Sequence, residues 1–234
     1  VPNAPVYPLA SPGVRVEFTP DPAWYVMAGV YGQDANSFPA TNNQNGTRFA
    51  LTASSGMLAM SEVGYLLNQG PNDKGLQGSY RLGSFVHSDD SQKFEGGSAG
   101  TNYGIYGVLD QQIFSAGDEI VSFFVRSGGA PENTNFVDYY VEGGFDFTGF
   151  VPGRKNDVGG VAVARSHVSG DYSAEQVALG HPASTAETVI EATYKMQLAP
   201  WWSVQPDLKY IVTPSGVAGS HDATVLGVRT TVAF

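Results

Sequence analysis

The chain has 234 residues, with 29 glycines, 12 tyrosines and 13 phenylalanines, a composition that favours strands and turns in one large β domain over residues 1–234. Only 15% of residues are charged, yet the net charge is −10, which excludes a nucleic-acid binder and does not fit a soluble surface dense in Lys and Glu. The absence of cysteine excludes a disulfide framework and thiolate metal sites or nucleophiles. No run approaches the ~18 apolar residues of a spanning helix, which leaves open a barrel whose strands need only ~9–11 residues of alternating polarity.

In chain order, extended segments are predicted at Val14–Phe18, Trp24–Tyr31, Arg48–Ala53, Leu58–Asn68, Leu76–Ser88, Tyr103–Phe114, Glu119–Arg126, Phe136–Phe150, Val158–Val168, Thr185–Leu198, Trp202–Thr213 and Ala223–Phe234. That makes about ten to twelve strands, broken by Gly, Pro, Asn and Asp. Short turns such as Ala116–Asp118 and Pro152–Arg154 alternate with longer polar loops near Asn36–Asn45, Asp89–Thr101 and Ser169–Ser184. Such alternation marks the two ends of a membrane barrel. The third loop has room for a short helix over Tyr172–Leu179.

The period of two is cleanest in the last three segments. Ile190, Ala192, Tyr194, Met196 and Leu198 oppose Glu191, Thr193, Lys195 and Gln197. Trp202, Val204, Leu208 and Tyr210 oppose Ser203, Gln205, Asp207 and Lys209, and Leu226, Val228, Val232 and Phe234 oppose Arg229 and Thr231. A soluble sandwich also alternates. The aromatics near segment ends (Trp24, Tyr65, Tyr80, Tyr103, Tyr139, Trp201, Trp202 and Tyr210) favour a barrel with interfacial girdles.

Assigning the polar faces to a lumen gives as candidate solute-path residues Arg15, Glu17, Arg48, Glu62, Arg81, Arg126, Glu142, Asp207, Lys209 and Arg229, with His87, Asp146, Arg165, Glu191 and Lys195 beside them. Opposed guanidinium and carboxylate groups can replace the hydration of a neutral polyhydroxy solute, and aromatic faces suit the C–H side of a sugar ring. The plainer alternative is that these charges satisfy one another across a wet interior. Catalysis finds little support. His87, His167, His181 and His221 are isolated from metal-ligand spacing, and neither a nucleophile elbow nor a phosphate-binding loop is present. The Gly96–Gly100 run reads as a flexible loop, and Glu142 and Asp146 stand ~13 Å apart by strand rise, too far for a glycosidase pair. No catalytic residue, metal or cofactor is expected.

Several stretches together resemble the carbohydrate-selective porins of Gram-negative outer membranes, the OprB type. They are Pro5–Ala10 with Gly13–Val16, Glu62–Tyr65, Tyr80–Gly83, Tyr103–Tyr106 with Asp110–Gln111, Phe124–Arg126, Val151–Arg154, Gln205–Ile211 and Gly227–Arg229. The resemblance implies a transmembrane antiparallel barrel of sixteen strands, with a sugar-permeable lumen narrowed by inward loops. It implies outer-membrane lipid and small sugars as partners, and assembly by the barrel assembly machinery reading a terminal strand that includes Phe234. A homo-oligomer fits it equally. Family members are longer, so the chain reads as the C-terminal part of such a barrel. Two alternatives stay open: a general, weakly cation-preferring diffusion porin, and a secreted soluble β-sandwich that binds carbohydrate.

Overall fold

A computed structural model describes residues 12–32, 56–70, 72–88 and 92–233. Eleven strands form one antiparallel sheet in which each pairs with the next in sequence: β1 Gly13–Asp21, β2 Trp24–Gly32, β3 Met57–Leu67, β4 Gly78–His87, β5 Asn102–Ala116, β6 Glu119–Gly129, β7 Val137–Thr148, β8 Val158–Val168, β9 Ala186–Ala199, β10 Trp202–Val212 and β11 Ala223–Val232. Helix α1, Gly170–Ala178, occupies the loop after β8, where a short helix was expected; the Ser169 hydroxyl caps it by accepting from the Tyr172 amide at 3.1 Å. The predicted strand Arg48–Ala53, with candidate Arg48, lies outside the described residues, as does Phe234.

The shortest connections lie at one end of the sheet and the longest at the other, with those after β3, β6, β7 and β10 of intermediate length. Two-residue turns join β1 to β2, β5 to β6 and β9 to β10, whereas the connections after β2, β4 and β8 at the other end are much longer. Short turns belong to the periplasmic rim of a barrel and long loops to the outer rim.

Register divides each strand between two faces. A polar row runs Glu17, Met27, Glu62, Gly83, Tyr106, Gly128, Tyr140, Ser166 and Glu187 across β1 to β9. The opposite face carries Phe18, Val26, Val63, Leu82, Gly107, Ser127, Val141, Arg165, Thr188 and Val212 across β1 to β10. This second row starts near the turn end of β2 and reaches the last residue of β10 at the loop end. The register therefore climbs steadily along the sheet, which is the stagger that closing a barrel demands.

The apolar face is left bare. Leu82, Val161, Ile190, Leu226 and Val228 are all exposed, and only four apolar side chains among the described residues are buried, far too few for the core of a soluble sandwich. Aromatics collect at both edges of this face. At the turn end Trp24 packs on Tyr65 at 4.7 Å and Tyr65 on Tyr80 at 6.1 Å, followed around the rim by Phe114, Phe147 and Phe150 and by the Trp201–Trp202 pair. Tyr103, Tyr139 and Tyr210 stand toward the loop end. Along β5, Tyr103 to Ile113 spans ~34 Å of strand, or ~26 Å of height at a tilt of ~40°, close to the ~25 Å apolar band of an outer-membrane barrel.

Arg165 is a correction. It was expected on the polar face, but register places it on the apolar one, between Val141 of β7 and Thr188 of β9. The inward-directed residues of β8 are small (Gly160, Ala162, Ala164 and Ser166), because the larger side chains Val161 and Val163 share a face with Arg165. Arg165 lies three residues before the end of β8, where a lipid-facing Arg costs ~0–1 kcal/mol rather than the ~2–4 kcal/mol of the bilayer midplane.

Candidate functional site

The polar face groups the sequence candidates into a belt of clamped carboxylates. Glu62 of β3 receives two tyrosine hydroxyls, Tyr25 donating to Oε1 at 2.6 Å and Tyr106 to Oε2 at 2.8 Å. Glu142 of β7 is held in the same way by Arg126 Nη1 on Oε1 at 2.7 Å and the Tyr140 hydroxyl on Oε2 at 2.6 Å. Between them Arg81 Nη2 donates to Asp110 Oδ2 at 2.8 Å, while its Nε is buried without a partner. The Arg126 guanidinium also stands 4.9 Å above the Phe124 ring, a cation–π contact that fixes its plane.

Two glycines make the Glu62 clamp reachable. The Tyr106 hydroxyl reaches from β5 across β4 to β3, and its ring passes over Gly83, where a Cβ would collide with it. Tyr25 lies in the same way over Gly64. Both rings therefore lie flat against the sheet instead of projecting from it. The wall stays low and offers ring faces beside charged oxygens. A groove of ≈ 140 Å³ runs along this belt, lined by Arg15, Met27, Tyr31, Met60, Glu62 and Tyr106 among others.

Other candidates stand on the same face in looser groups. Arg15 and Glu17 of β1 lie 3.6 Å apart and are well exposed. Lys209 of β10 meets Asp207 at 3.1 Å and Glu191 at 3.8 Å. Lys195 and Arg229 share the face, paired in register with Val158 and Gln205, and Asp146 faces Ser122 and Gly160. His87 is buried at the loop end of β4. Sequence reasoning missed the three tyrosine donors and Asp110. Their signal was the odd–even position alone, since Tyr25, Tyr106 and Tyr140 fall in the polar register while their rings read as apolar.

A separate ionic cluster secures the turn-end rim. Asp157, buried at the start of β8, accepts from Arg154, from the Tyr194 hydroxyl at 2.7 Å and from the Gln197 amide at 2.9 Å, stapling the β7–β8 turn to β9. Desolvation pushes its carboxyl up, and these hydrogen bonds outweigh that and hold it below the ordinary range. A depressed folded pKa contributes stability above the unfolded pKa of ~3.9, which is lost as pH falls through the folded value. Asp157→Asn is thus expected to loosen the rim by about 1–3 kcal/mol at neutral pH, and the difference from the parent should close only below pH ~4. Limited proteolysis at the β7–β8 turn across that pH range checks this.

Comparison with known proteins agrees with the fold. The family described as carbohydrate-selective porin, OprB family, matches residues 2–234. Porin B of Pseudomonas aeruginosa is 26% identical over 258 aligned positions, covering 97% of this chain and 56% of that protein. The high-pH structure of Pseudomonas putida OprB superposes with a TM-score of 0.81 at 25% identity, covering 95% of this chain and 58% of the other. The low-pH structure of the same porin gives 0.62 at 21% identity over 95% and 55%. The chain thus spans little more than half the length of the relatives it matches.

Proposed function

Because this chain belongs to the carbohydrate-selective porin family, OprB type, we propose that its polar face forms part of the lumen of a passive channel for mono- or small oligosaccharides. The family is one of outer-membrane channels of Gram-negative bacteria rather than of enzymes. The observation that carries the reading is the belt in which Glu62 and Glu142 are each gripped by two donors, with the Tyr25 and Tyr106 rings lying flat beside Glu62. A sugar sliding along it exchanges water for hydroxyl, carboxylate and guanidinium partners, and packs its C–H face on aromatic rings. No cofactor enters the process, since solute moves down its own gradient.

Saturable flux is the signature of such a belt. In planar bilayers the full-length protein is expected to show ion current blocked by glucose in a saturating manner. Gly83→Val, which forces the Tyr106 ring off the wall and away from Glu62, should raise the half-blocking concentration about fivefold, the equivalent of ~1 kcal/mol for one ring contact. Glucose that neither blocks nor saturates in the parent channel would overturn the sugar reading. It would favour the second one, a general and weakly cation-preferring channel, which the net charge of −10 and the excess of carboxylates on this face support.

A further inference from the structure

Arg229 stands on the polar face without a carboxylate partner among the described residues, and Arg15, Arg81, Arg126 and Arg154 each pair with one. Arg165 does not: its one hydrogen bond among the described residues runs from Nη1 to the Thr188 hydroxyl at 2.9 Å, so most of its five N–H donors are uncommitted. It also sits on the wrong face for a solute path, in a row with Val141 and Thr188, above the exposed side chains of Val163 and Ile190. By strand rise and tilt it lies ~8 Å below the loop end of β8, at headgroup depth in the outer leaflet. Beside it the Tyr139 and His167 rings stack at 4.7 Å, nearly parallel, on the same face. Asp138, the carboxylate next to this stack in sequence, is occupied by His167 Nδ1 at 2.6 Å and by the Tyr139 amide at 2.9 Å.

We propose that this patch docks the phosphate of an outer-leaflet lipid, with Arg165 as its anchor. The planar guanidinium matches phosphate in a bidentate manner. Val161, Val163 and Ile190, all exposed below it, offer the acyl chains a continuous apolar strip. The Tyr139–His167 stack walls the headgroup on the loop side. A free phosphate ion would gain nothing from that strip, which commits the site to a phosphorylated lipid. The proposal depends on the apolar face meeting lipid and is independent of what passes along the polar face.

The test uses the full-length protein in nanodiscs, with native mass spectrometry counting retained bisphosphorylated lipid A. Wild type is expected to retain it, Arg165→Gln to bind about tenfold more weakly, and Arg165→Lys to fall between, since one charge-assisted contact is lost or made monodentate. Dephosphorylated lipid A should bind wild type no better than the phosphorylated lipid binds Arg165→Gln, and millimolar inorganic phosphate should not displace the lipid. Conductance and sugar block of Arg165→Gln should equal those of wild type. Equal retention by wild type and Arg165→Gln, equal affinity for the dephosphorylated lipid, or displacement by inorganic phosphate would each overturn the proposal. If Arg165→Gln fails to assemble, the dephosphorylated-lipid comparison on wild type decides alone.

Discussion

Leu208→Arg is expected to destabilise the full-length protein in lipid by about 2–4 kcal/mol, whereas Gln205→Arg three residues earlier on the same strand should cost no more than ~1 kcal/mol. Leu208 lies mid-strand on the exposed apolar face, paired with Ala192 and Leu226, so a guanidinium there has hydrocarbon around it. Gln205 is on the other face, where its amide donates to the Thr193 hydroxyl at 2.9 Å and its register partner is Arg229. An arginine at 205 meets polar neighbours, at the cost of one hydrogen bond and some repulsion from Arg229. Urea titrations of refolding into phospholipid vesicles read the difference directly. Equal tolerance of both substitutions would mean that the apolar face is covered by something other than lipid.

β10 and its two neighbours show why the face assignment was legible in the sequence. Across β9, β10 and β11 the apolar side chains Ile190, Met196, Leu208, Tyr210, Leu226 and Val228 oppose Glu191, Lys195, Gln205, Lys209 and Arg229 as parity predicts, with Val189, Ile211 and Val225 the apolar exceptions on the polar face. The alternation survives even Pro206, which lacks a donor for the ladder and whose carbonyl takes a hydrogen bond from the Thr193 hydroxyl instead. β8 was harder to read. Its polar register is occupied by Gly160, Ala162 and Ala164, so the single strong polar side chain, Arg165, drew the assignment to itself, although Val161 and Val163 share its parity. Charge alone misleads within a residue or two of an interface, because an arginine there reaches headgroups at little cost.

Partnerships across the belt were hidden for a different reason. That Glu62 and Tyr106 stand 44 positions apart in sequence yet share a hydrogen bond follows from register between three strands, and register is set by the length and geometry of intervening loops. Parity supplies the face but not the row. The glycine at position 83 was a usable clue only in hindsight of that row, since a strand glycine signals close approach without naming what approaches. The pairings Arg81 with Asp110 and Arg126 with Glu142 each join adjacent strands, and they too needed register to be assigned.

Replacing both Arg126 and Arg229 by Ala is expected to give the largest functional change. Each lies on the polar face, Arg126 clamping Glu142 and Arg229 exposed on β11 with no carboxylate partner among the described residues. Carboxylates already outnumber cations on that face, so every arginine removed deepens a negative potential. A unit charge ~6 Å from a permeating ion in water is worth ~0.7 kcal/mol, about threefold in local occupancy, and the pair therefore about tenfold at low ionic strength. Arg126→Ala adds a second effect by leaving Glu142 with the Tyr140 hydroxyl alone and freeing one of its oxygens toward the solute path. Reversal potentials across a salt gradient should shift toward cations in proportion, and the shift should shrink as salt is raised, because both groups are solvated. Sugar block should weaken in parallel, since the guanidinium donors are lost with the charge. If ion selectivity and glucose block in the double variant both equal those of the parent, neither arginine borders the conducting path, and the lumen would have to be assigned to the other residues of the belt.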